Sequence, residues 1–106
     1  MNSSGWMRSI MASNYDEEKF LFTVGDIIGR EFETPVTIME VFKGNFLVFF
    51  NKFSLELTKD KIKELKGPIG PYRLDKYILQ SFMIQGFKFD KRRSQYIRYV
   101  FGIFEE

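Results

Sequence analysis

The chain of 106 residues contains neither cysteine nor histidine. The lack of cysteine excludes disulfides, thiolate chemistry and zinc–thiolate sites, and it fits a reducing compartment. The lack of histidine removes the commonest general base, the commonest protein ligand for metal ions and the side chain that changes charge near neutral pH. Both absences disfavour an enzyme or a metalloprotein, and we expect no cofactor.

Alanine and long apolar runs are also scarce. Ala12 is the only alanine, whereas there are thirteen phenylalanines, so the apolar mass lies in large side chains and predicts bulky β-sheet packing. No apolar stretch near the N-terminus has the length of a signal peptide or a membrane span, so we expect a cytoplasmic protein without a membrane partner. A chain of this length is expected to form one domain with one core.

The acidic residues and glycines match no catalytic or metal-binding motif. Four acidic residues lie near a predicted turn at spacings that match no catalytic motif: Asp26, Glu31, Glu33 and Glu40. The consecutive acidic residues 16–18 are unsuited to a metal site, because sequence neighbours rarely converge on one ion. Gly25 and Gly29 do not form a dinucleotide-binding loop, because Pro35 and the next predicted strand follow too soon. We therefore expect neither catalytic residues nor metal ligands.

The segment 37–50, TIMEVFKGNFLVFF, predicts a β-hairpin with its turn at Gly44-Asn45. That turn would place Phe42 opposite Leu47 on one face of the hairpin and Met39 on the other face. The five residues after the turn are all apolar, which predicts a strand covered on both faces rather than one that borders solvent.

The segments that flank this hairpin predict two further strands and one short helix. Residues 19–24, KFLFTV, predict a first strand, and 53–57 predict a short strand after the hairpin. Thr58 is a good N-cap for a short helix that ends at Gly67-Pro68, with Leu57 and Ile62 forming a hydrophobic staple.

The last third of the chain predicts a second helix and a second hairpin. A helix from about Pro71 to Ser81 is indicated by Gly70 at an N-cap followed by Pro71 at the first helical position. The strand formers in 82–89 and 95–104 flank a polar loop, 90–94, and predict the hairpin. A helix from Ser94 onward is the alternative, which Gly102 and the many β-branched and aromatic residues disfavour.

Together these elements predict an α+β fold with an antiparallel sheet of about five strands, built from two β-hairpins with one or two short helices between them. Residues 1–18 lack sustained periodicity and are expected to form a disordered N-terminal tail, which leaves 19–106 as a single α+β domain.

The net charge of +2 hides a difference between the two halves of the chain. Residues 1–50 carry four basic and seven acidic side chains, a net charge of −3, whereas residues 51–106 carry twelve and seven, a net charge of +5. A basic half is compatible with a nucleic-acid partner, and it also serves simply to keep an apolar domain in solution.

A protein-interaction role is the main functional hypothesis. Two hairpins that are apolar on both faces, with only short helices to cover them, leave surface that a second copy or another protein would cover. Phenylalanine and tyrosine supply large contact area at low entropic cost. The expected protein-binding residues are Phe42, Leu47, Phe49 and Tyr96. We expect a small regulatory or interaction protein that forms a homo-oligomer or binds another protein.

Nucleic-acid binding is the alternative hypothesis. Basic side chains at the tip of the second hairpin would neutralise phosphates, while neighbouring aromatic rings would stack on exposed bases. The residues that would bind nucleic acid are Lys88, Lys91, Arg92, Arg93 and Arg98. The interleaved rings are those of Phe87, Phe89, Tyr96 and Tyr99.

Overall fold

A computed structural model describes Arg8 and residues 15–66 and 70–103. In chain order these residues form α1 (Glu17–Phe32), β1 (Val36–Phe42), β2 (Asn45–Phe50), β3 (Phe53–Thr58), α2 (Lys59–Leu65), α3 (Arg73–Ile84) and α4 (Gln95–Val100). The strands form one antiparallel sheet in the order β1-β2-β3. The α+β class is confirmed, but the prediction of about five strands is wrong, because the described part of the chain contains three strands and more helix than expected.

The predicted first strand, residues 19–24, lies within helix α1. The Asp16 carboxylate caps this helix by accepting a hydrogen bond of 2.8 Å from the Lys19 backbone N–H. Glu17 and Glu18 in the first turn interact favourably with the helix dipole. The buried side chains recur at helical spacing: Phe20, Leu21, Val24 and Ile28. This period is visible only over the whole helix, whereas the short window KFLFTV has the composition of a strand.

Two glycines of α1 allow the helix to lie close to β1. A Cβ atom at Gly25 would be only 2.8 Å from Cδ1 of Ile38, and one at Gly29 would be 3.1 Å from the Thr34 carbonyl oxygen. Side chains at these positions would push the helix away from the strand. Close helix–strand packing therefore accounts for both glycines, and Gly25 is inside a helix rather than in a turn.

The central hairpin is present with a different register from the predicted one. Its turn is formed by Lys43 and Gly44, with Gly44 at a φ of 80°. Phe42 pairs with Asn45, and Met39 pairs with Leu47 rather than facing Phe50. The register shifts between Glu40 and Phe42, as in a β-bulge. This change moves Met39 to the face of the sheet opposite to the one predicted.

The helices cover one face of the sheet, called the inner face here. Its residues on β2 and β3 are mostly buried: Phe46, Val48, Phe50, Phe53 and Leu57. The alternate residues of β2 are more accessible, and Phe49 is 36% exposed. The prediction that β2 is covered on both faces is therefore wrong, although the run of apolar residues suggested it.

Phenylalanine rings join the inner face of the sheet to the helices. Phe50 of β2 stacks on Phe82 of α3 with ring centroids 5.4 Å apart, and Phe32 of α1 meets Phe50 edge-on at 5.9 Å. Phe87 and Phe89, in the loop after α3, extend this cluster, with centroids 5.1 Å apart. Such offset and edge-to-face contacts are the preferred geometry of aromatic pairs.

The two helices predicted after the central hairpin are present. The Thr58 hydroxyl accepts a hydrogen bond of 3.1 Å from the Lys61 backbone N–H, and Leu57 and Ile62 are both buried. The predicted end of this helix at Gly67-Pro68 lies outside the described residues. Helix α3 begins two residues after Pro71 and continues three residues past Ser81.

The predicted second hairpin is wrong, and the alternative of a helix after Ser94 is right. The Ser94 hydroxyl accepts a hydrogen bond of 3.1 Å from the Ile97 backbone N–H and so begins α4. Ile97 and Val100, three residues apart, are both buried. Gly102, with a φ of 68°, follows the helix, where a left-handed residue commonly ends it. The cap and the spacing therefore outweigh the strand propensity of the side chains.

Replacing Ser94 with alanine is expected to destabilise the protein by about 1 kcal/mol, because the N-cap hydrogen bond to Ile97 is lost. Ser94→Asp should retain most of the stability, since a carboxylate also caps a helix. Urea unfolding followed by circular dichroism measures both effects. Equal stability of the alanine variant and the parent would contradict the assignment of the cap.

Of the predicted N-terminal tail, 1–18, the structure describes only Arg8 and residues 15–18. Arg8 is 4% exposed, and Glu17 and Glu18 are the first residues of α1. The other residues of the predicted tail lie outside the described part of the chain.

Candidate functional site

The second face of the sheet, called the outer face, is a three-by-three grid of side chains set by the register. Its rows are Phe42, Asn45 and Thr58; Met39, Leu47 and Glu56; and Thr37, Phe49 and Ser54. The positions on β1 and β2 are mostly apolar, whereas all three positions on β3 are polar. The outer face is thus divided into an apolar part and a polar border.

The outer patch is defined as Met39, Phe42, Leu47 and Phe49. Phe42 is 76% exposed and Met39 is 51% exposed. Met39 lies directly opposite Leu47, and Phe42 and Phe49 lie diagonally across from these two residues, within contact distance of long side chains. The patch is therefore contiguous, unlike the scattered exposed apolar residues that any protein surface carries.

The structure brings together three of the four predicted protein-binding residues. Phe42, Leu47 and Phe49 all lie in the outer patch. Tyr96 does not, because it is on α4 and its hydroxyl donates a hydrogen bond to Asp75. Met39 was missed because the predicted register has no bulge; the shift between Glu40 and Phe42 is what places Met39 on the face of Leu47.

The two edges of the sheet differ. At the β3 edge the side chain of Gln85, just after α3, bonds to both backbone groups of Ser54. Its amide nitrogen donates to the Ser54 carbonyl oxygen at 2.7 Å, and its amide oxygen accepts from the Ser54 N–H at 3.2 Å. A polar side chain thus covers part of this edge, which blocks pairing with another strand there.

At the opposite edge, called the open edge here, β1 has no neighbouring strand among the described residues. The N–H and C=O groups of Ser54 point away from β2, because they bond to Gln85. Along a strand, the backbone groups of successive residues point alternately to the two neighbouring sides. Following the register from β3 to β1, Thr37 and Met39 bond to β2, while Ile38 and Glu40 direct their N–H and C=O groups outward. In the described part of the chain, no backbone hydrogen bond joins these outward groups to another element. The apolar part of the outer face borders this open edge.

The predicted nucleic-acid-binding residues lie in the loop between α3 and α4 and on α4, not at a hairpin tip. Arg93 donates from Nε to a Glu31 carboxylate oxygen at 2.8 Å and lies over the ring of Phe32. Lys91 lies over the ring of Phe101, at 5.2 Å from its centroid. Lys88 and Arg92 are exposed in the same loop. This loop is basic, but one of its arginines is paired with a carboxylate.

The aromatic residues of that hypothesis have other roles. Phe87 and Phe89 pack against the hydrophobic core. The Tyr99 hydroxyl accepts a hydrogen bond of 2.8 Å from the Gln95 side chain, and Tyr96 binds Asp75. Arg98 donates to the Arg92 carbonyl oxygen at 3.2 Å. In the described part of the chain, each ring of that hypothesis therefore has a contact within the protein, and nucleic-acid binding stays a prediction.

A charged cluster that the sequence analysis missed lies among the helices. Asp75 of α3 is fully buried, and both of its carboxylate oxygens accept hydrogen bonds from the terminal nitrogens of Arg8, one of them at 3.0 Å. The Tyr96 hydroxyl donates to the same carboxylate. The guanidinium carbon of Arg8 lies 4.8 Å from the centroid of the Tyr72 ring. A signal was available, because Asp75 shares its helix face with Ile78, Leu79 and Phe82.

Burial affects the ionisation of this cluster. It raises the pKa of the Asp75 carboxyl, while the charge and hydrogen bonds of Arg8 and the hydrogen bond from Tyr96 act in the opposite direction. Burial, followed by the charge of Asp75, raises the pKa of the Tyr96 hydroxyl well above its ordinary value. Tyr96 thus remains a hydrogen-bond donor to the carboxylate throughout the neutral range.

No group of three or more acidic side chains in the described residues could hold a metal ion. The helices of this part of the chain are all too short or too polar to cross a membrane. Comparison with protein-family models, curated proteins and solved structures found no match to the chain. The fold and the site define an α+β domain whose three-stranded sheet has one face exposed to solvent.

Proposed function

We propose that the protein is a small non-catalytic interaction protein that self-associates, with the outer patch of one copy packed against the outer patch of another. The proposal rests on the contiguous, exposed group of large apolar side chains on the outer face of the sheet. Large side chains in this arrangement cost solvation free energy in a monomer, and an interface removes that cost.

A second copy is a suitable occupant for geometric reasons. Two sheets pack face to face at about 10 Å, with side chains from both faces interdigitating. The two faces are identical in size, and a two-fold axis makes the contact self-complementary. Glu56 is the only charged residue in the grid, and it lies in the polar border on β3. Like charges are therefore kept out of the apolar centre of the contact.

The size of the patch limits the strength of association. With a phenylalanine or tyrosine burying about 150–250 Å² when covered, the exposed parts of the patch amount to roughly 400 Å². This is about half of the area that each partner contributes to a standard stable interface. We therefore expect a dissociation constant of about micromolar size and a monomer–dimer equilibrium that depends on concentration.

Phe42→Asp is expected to weaken self-association about tenfold or more, because it removes the most exposed ring of the outer patch and places a charge within the apolar contact. Sedimentation equilibrium over a dilution series measures the effect against the chain mass of 12.6 kDa. Phe22→Asp is a matched control, since Phe22 is 45% exposed but lies on α1 away from the sheet face. A monomeric parent at all concentrations, or equal association of Phe42→Asp and the parent, would refute the proposal.

A third variant separates the outer face from the open β1 edge. The Glu40 carboxylate accepts a hydrogen bond of 3.1 Å from the Gly44 N–H, so Glu40→Ala is the control for the loss of that bond. Glu40→Pro in addition removes one outward N–H of β1 and leaves the ladder to β2 in place. We expect it to associate like the parent once circular dichroism shows that it is folded. Loss of association only in this variant would assign the contact to pairing between β1 edges. Excess absorbance at 260 nm in the same samples that disappears when salt is added would instead indicate bound nucleic acid.

A further inference from the structure

The buried cluster around Asp75 has the form of a binding site for a planar cation. The carboxylate of Asp75 forms its floor, the rings of Phe20 and Tyr72 form its walls, and the Tyr96 hydroxyl binds one of the carboxylate oxygens. These four side chains come from α1, α3, α4 and the residue that caps α3. Arg8, which fills the site, is 67 residues away from Asp75 in the sequence.

We propose that this pocket is a guanidinium-binding site, which Arg8 fills in the folded chain and which accepts another guanidinium group when the Arg8 side chain is absent. The proposal is independent of self-association through the outer patch, because none of the pocket residues lies on the outer face. It assigns the ligand by its chemistry, as a guanidinium carried by a small molecule or by an arginine side chain.

The geometry selects a guanidinium over an ammonium group. Two terminal nitrogens of Arg8 donate separately to the two oxygens of Asp75, a paired contact that a single ammonium nitrogen cannot reproduce. The guanidinium carbon also lies 4.8 Å from the centroid of the Tyr72 ring, whose face attracts positive charge. The ring contact requires a cation, and the paired hydrogen bonds require at least two donors held side by side.

The contacts of Arg8 are concentrated at the end of its side chain. Its Nε atom is buried and has no hydrogen-bond partner among the described residues. A guanidinium on a shorter stem would therefore keep every hydrogen bond that the structure shows for the Arg8 side chain. What the pocket binds is the terminal group rather than the whole residue.

The empty pocket provides the driving force for binding. Asp75 is fully buried with Arg8 in place, and without Arg8 its described hydrogen-bonding side chain would be Tyr96 alone. An unpaired buried charge is costly, so a cation that matches the pocket should stabilise the fold by binding to it.

The test uses the full chain with Arg8→Ala and methylguanidinium as the probe. We expect Arg8→Ala to unfold at a lower temperature than the parent and methylguanidinium to raise that temperature with saturation. A probe concentration ten times the dissociation constant should raise the ratio of folded to unfolded chain about eleven-fold. Methylammonium should give no such rise, and the parent, whose pocket is filled, should not respond to methylguanidinium.

Controls keep the result specific to the pocket. Tyr72→Leu in the Arg8→Ala background removes the ring beneath the cation and should weaken the methylguanidinium response several-fold. If Arg8→Ala is unfolded, methylguanidinium should restore its circular dichroism spectrum. Failure to stabilise or refold Arg8→Ala, or an equal effect of methylammonium, would overturn the proposal.

A mixture of two variants distinguishes the sources of the guanidinium. Arg8→Ala keeps the pocket without its arginine, and Asp75→Asn keeps Arg8 without the charged floor. A mixture in which Arg8→Ala is stabilised relative to the separate variants would show that Arg8 of a second copy can enter the pocket. If the mixture leaves the stability of Arg8→Ala unchanged but methylguanidinium still raises it, the site binds guanidinium groups of other molecules.

Discussion

Replacing Asp75 with alanine is expected to lower the free energy of unfolding by about 3–5 kcal/mol, because the variant buries the Arg8 guanidinium without its carboxylate. Arg8 is only 4% exposed in the parent, so its guanidinium has little contact with solvent to offset the loss of the carboxylate oxygens. The Tyr96 hydroxyl also loses its acceptor, which adds an unsatisfied polar group to the same region. Urea unfolding measured by circular dichroism gives the free-energy difference.

Asp26→Ala is the matched control for this variant. Asp26 pairs with Arg30 at 3.0 Å on the surface of α1, where both side chains are largely exposed. An exposed pair one helical turn apart contributes only about 0.3–0.5 kcal/mol. A cost at Asp75 no greater than the cost at Asp26 would show that the buried pair does not support the fold.

A double variant separates the cost of breaking the pair from the value of having it. Replacing both partners with apolar residues of similar size, as in Arg8→Met with Asp75→Leu, leaves no unpaired buried charge. Such replacements are often neutral or stabilising. We therefore expect the double variant to recover most of the stability lost in Asp75→Ala. A double variant as unstable as the single one would show that the pair is stabilising in its own right.

Local signals in the sequence were sufficient for some elements and not for others. The helix after Thr58 was predictable because its cap, its hydrophobic staple and its following glycine and proline all indicate the same structure. The segments that became α1 and α4 were predicted as strands because phenylalanine, tyrosine, valine and isoleucine dominate them. The caps of these two helices, Asp16 and Ser94, carry the opposite signal, which the strand propensity of the following side chains conceals.

The candidate site was predictable in part for a different reason. Phe42, Leu47 and Phe49 belong to a hairpin with a clear sequence pattern, and they share a face in both registers because the observed turn shifts the partner of Phe42 by two residues, from Leu47 to Asn45. The bulge between Glu40 and Phe42 moves only the earlier residues of β1 to the other face. Met39 lies before the bulge and was placed on the wrong face. The pairing of Arg8 with Asp75 depends on contacts between distant segments, for which a single sequence provides no pattern.

Replacing Phe82 with alanine is expected to destabilise the protein by about 3–5 kcal/mol, because it leaves a cavity where α3 meets the sheet. Phe82 is fully buried and stacks on Phe50 of β2 and on Phe53 of β3, with centroids 5.4 and 6.1 Å away. In the parent, the Phe82 ring therefore contacts two strands at once. After its removal, the surrounding helix and sheet cannot fill the cavity without moving. The midpoint of urea unfolding, with an unchanged slope, measures this loss.

Phe22→Ala is the control, since the same side chain is removed from α1 at a position that is 45% exposed. Its expected cost is below that of Phe82→Ala because water already reaches much of the ring. Similar costs for the two variants would contradict the assignment of Phe82 to the core.

Phe82 also supports the outer patch indirectly. Strand β2 presents Phe50 inward and Phe49 outward, so packing of Phe82 on Phe50 supports the strand that holds part of the patch. Under conditions in which Phe82→Ala is fully folded, we therefore expect weaker self-association than in Phe22→Ala.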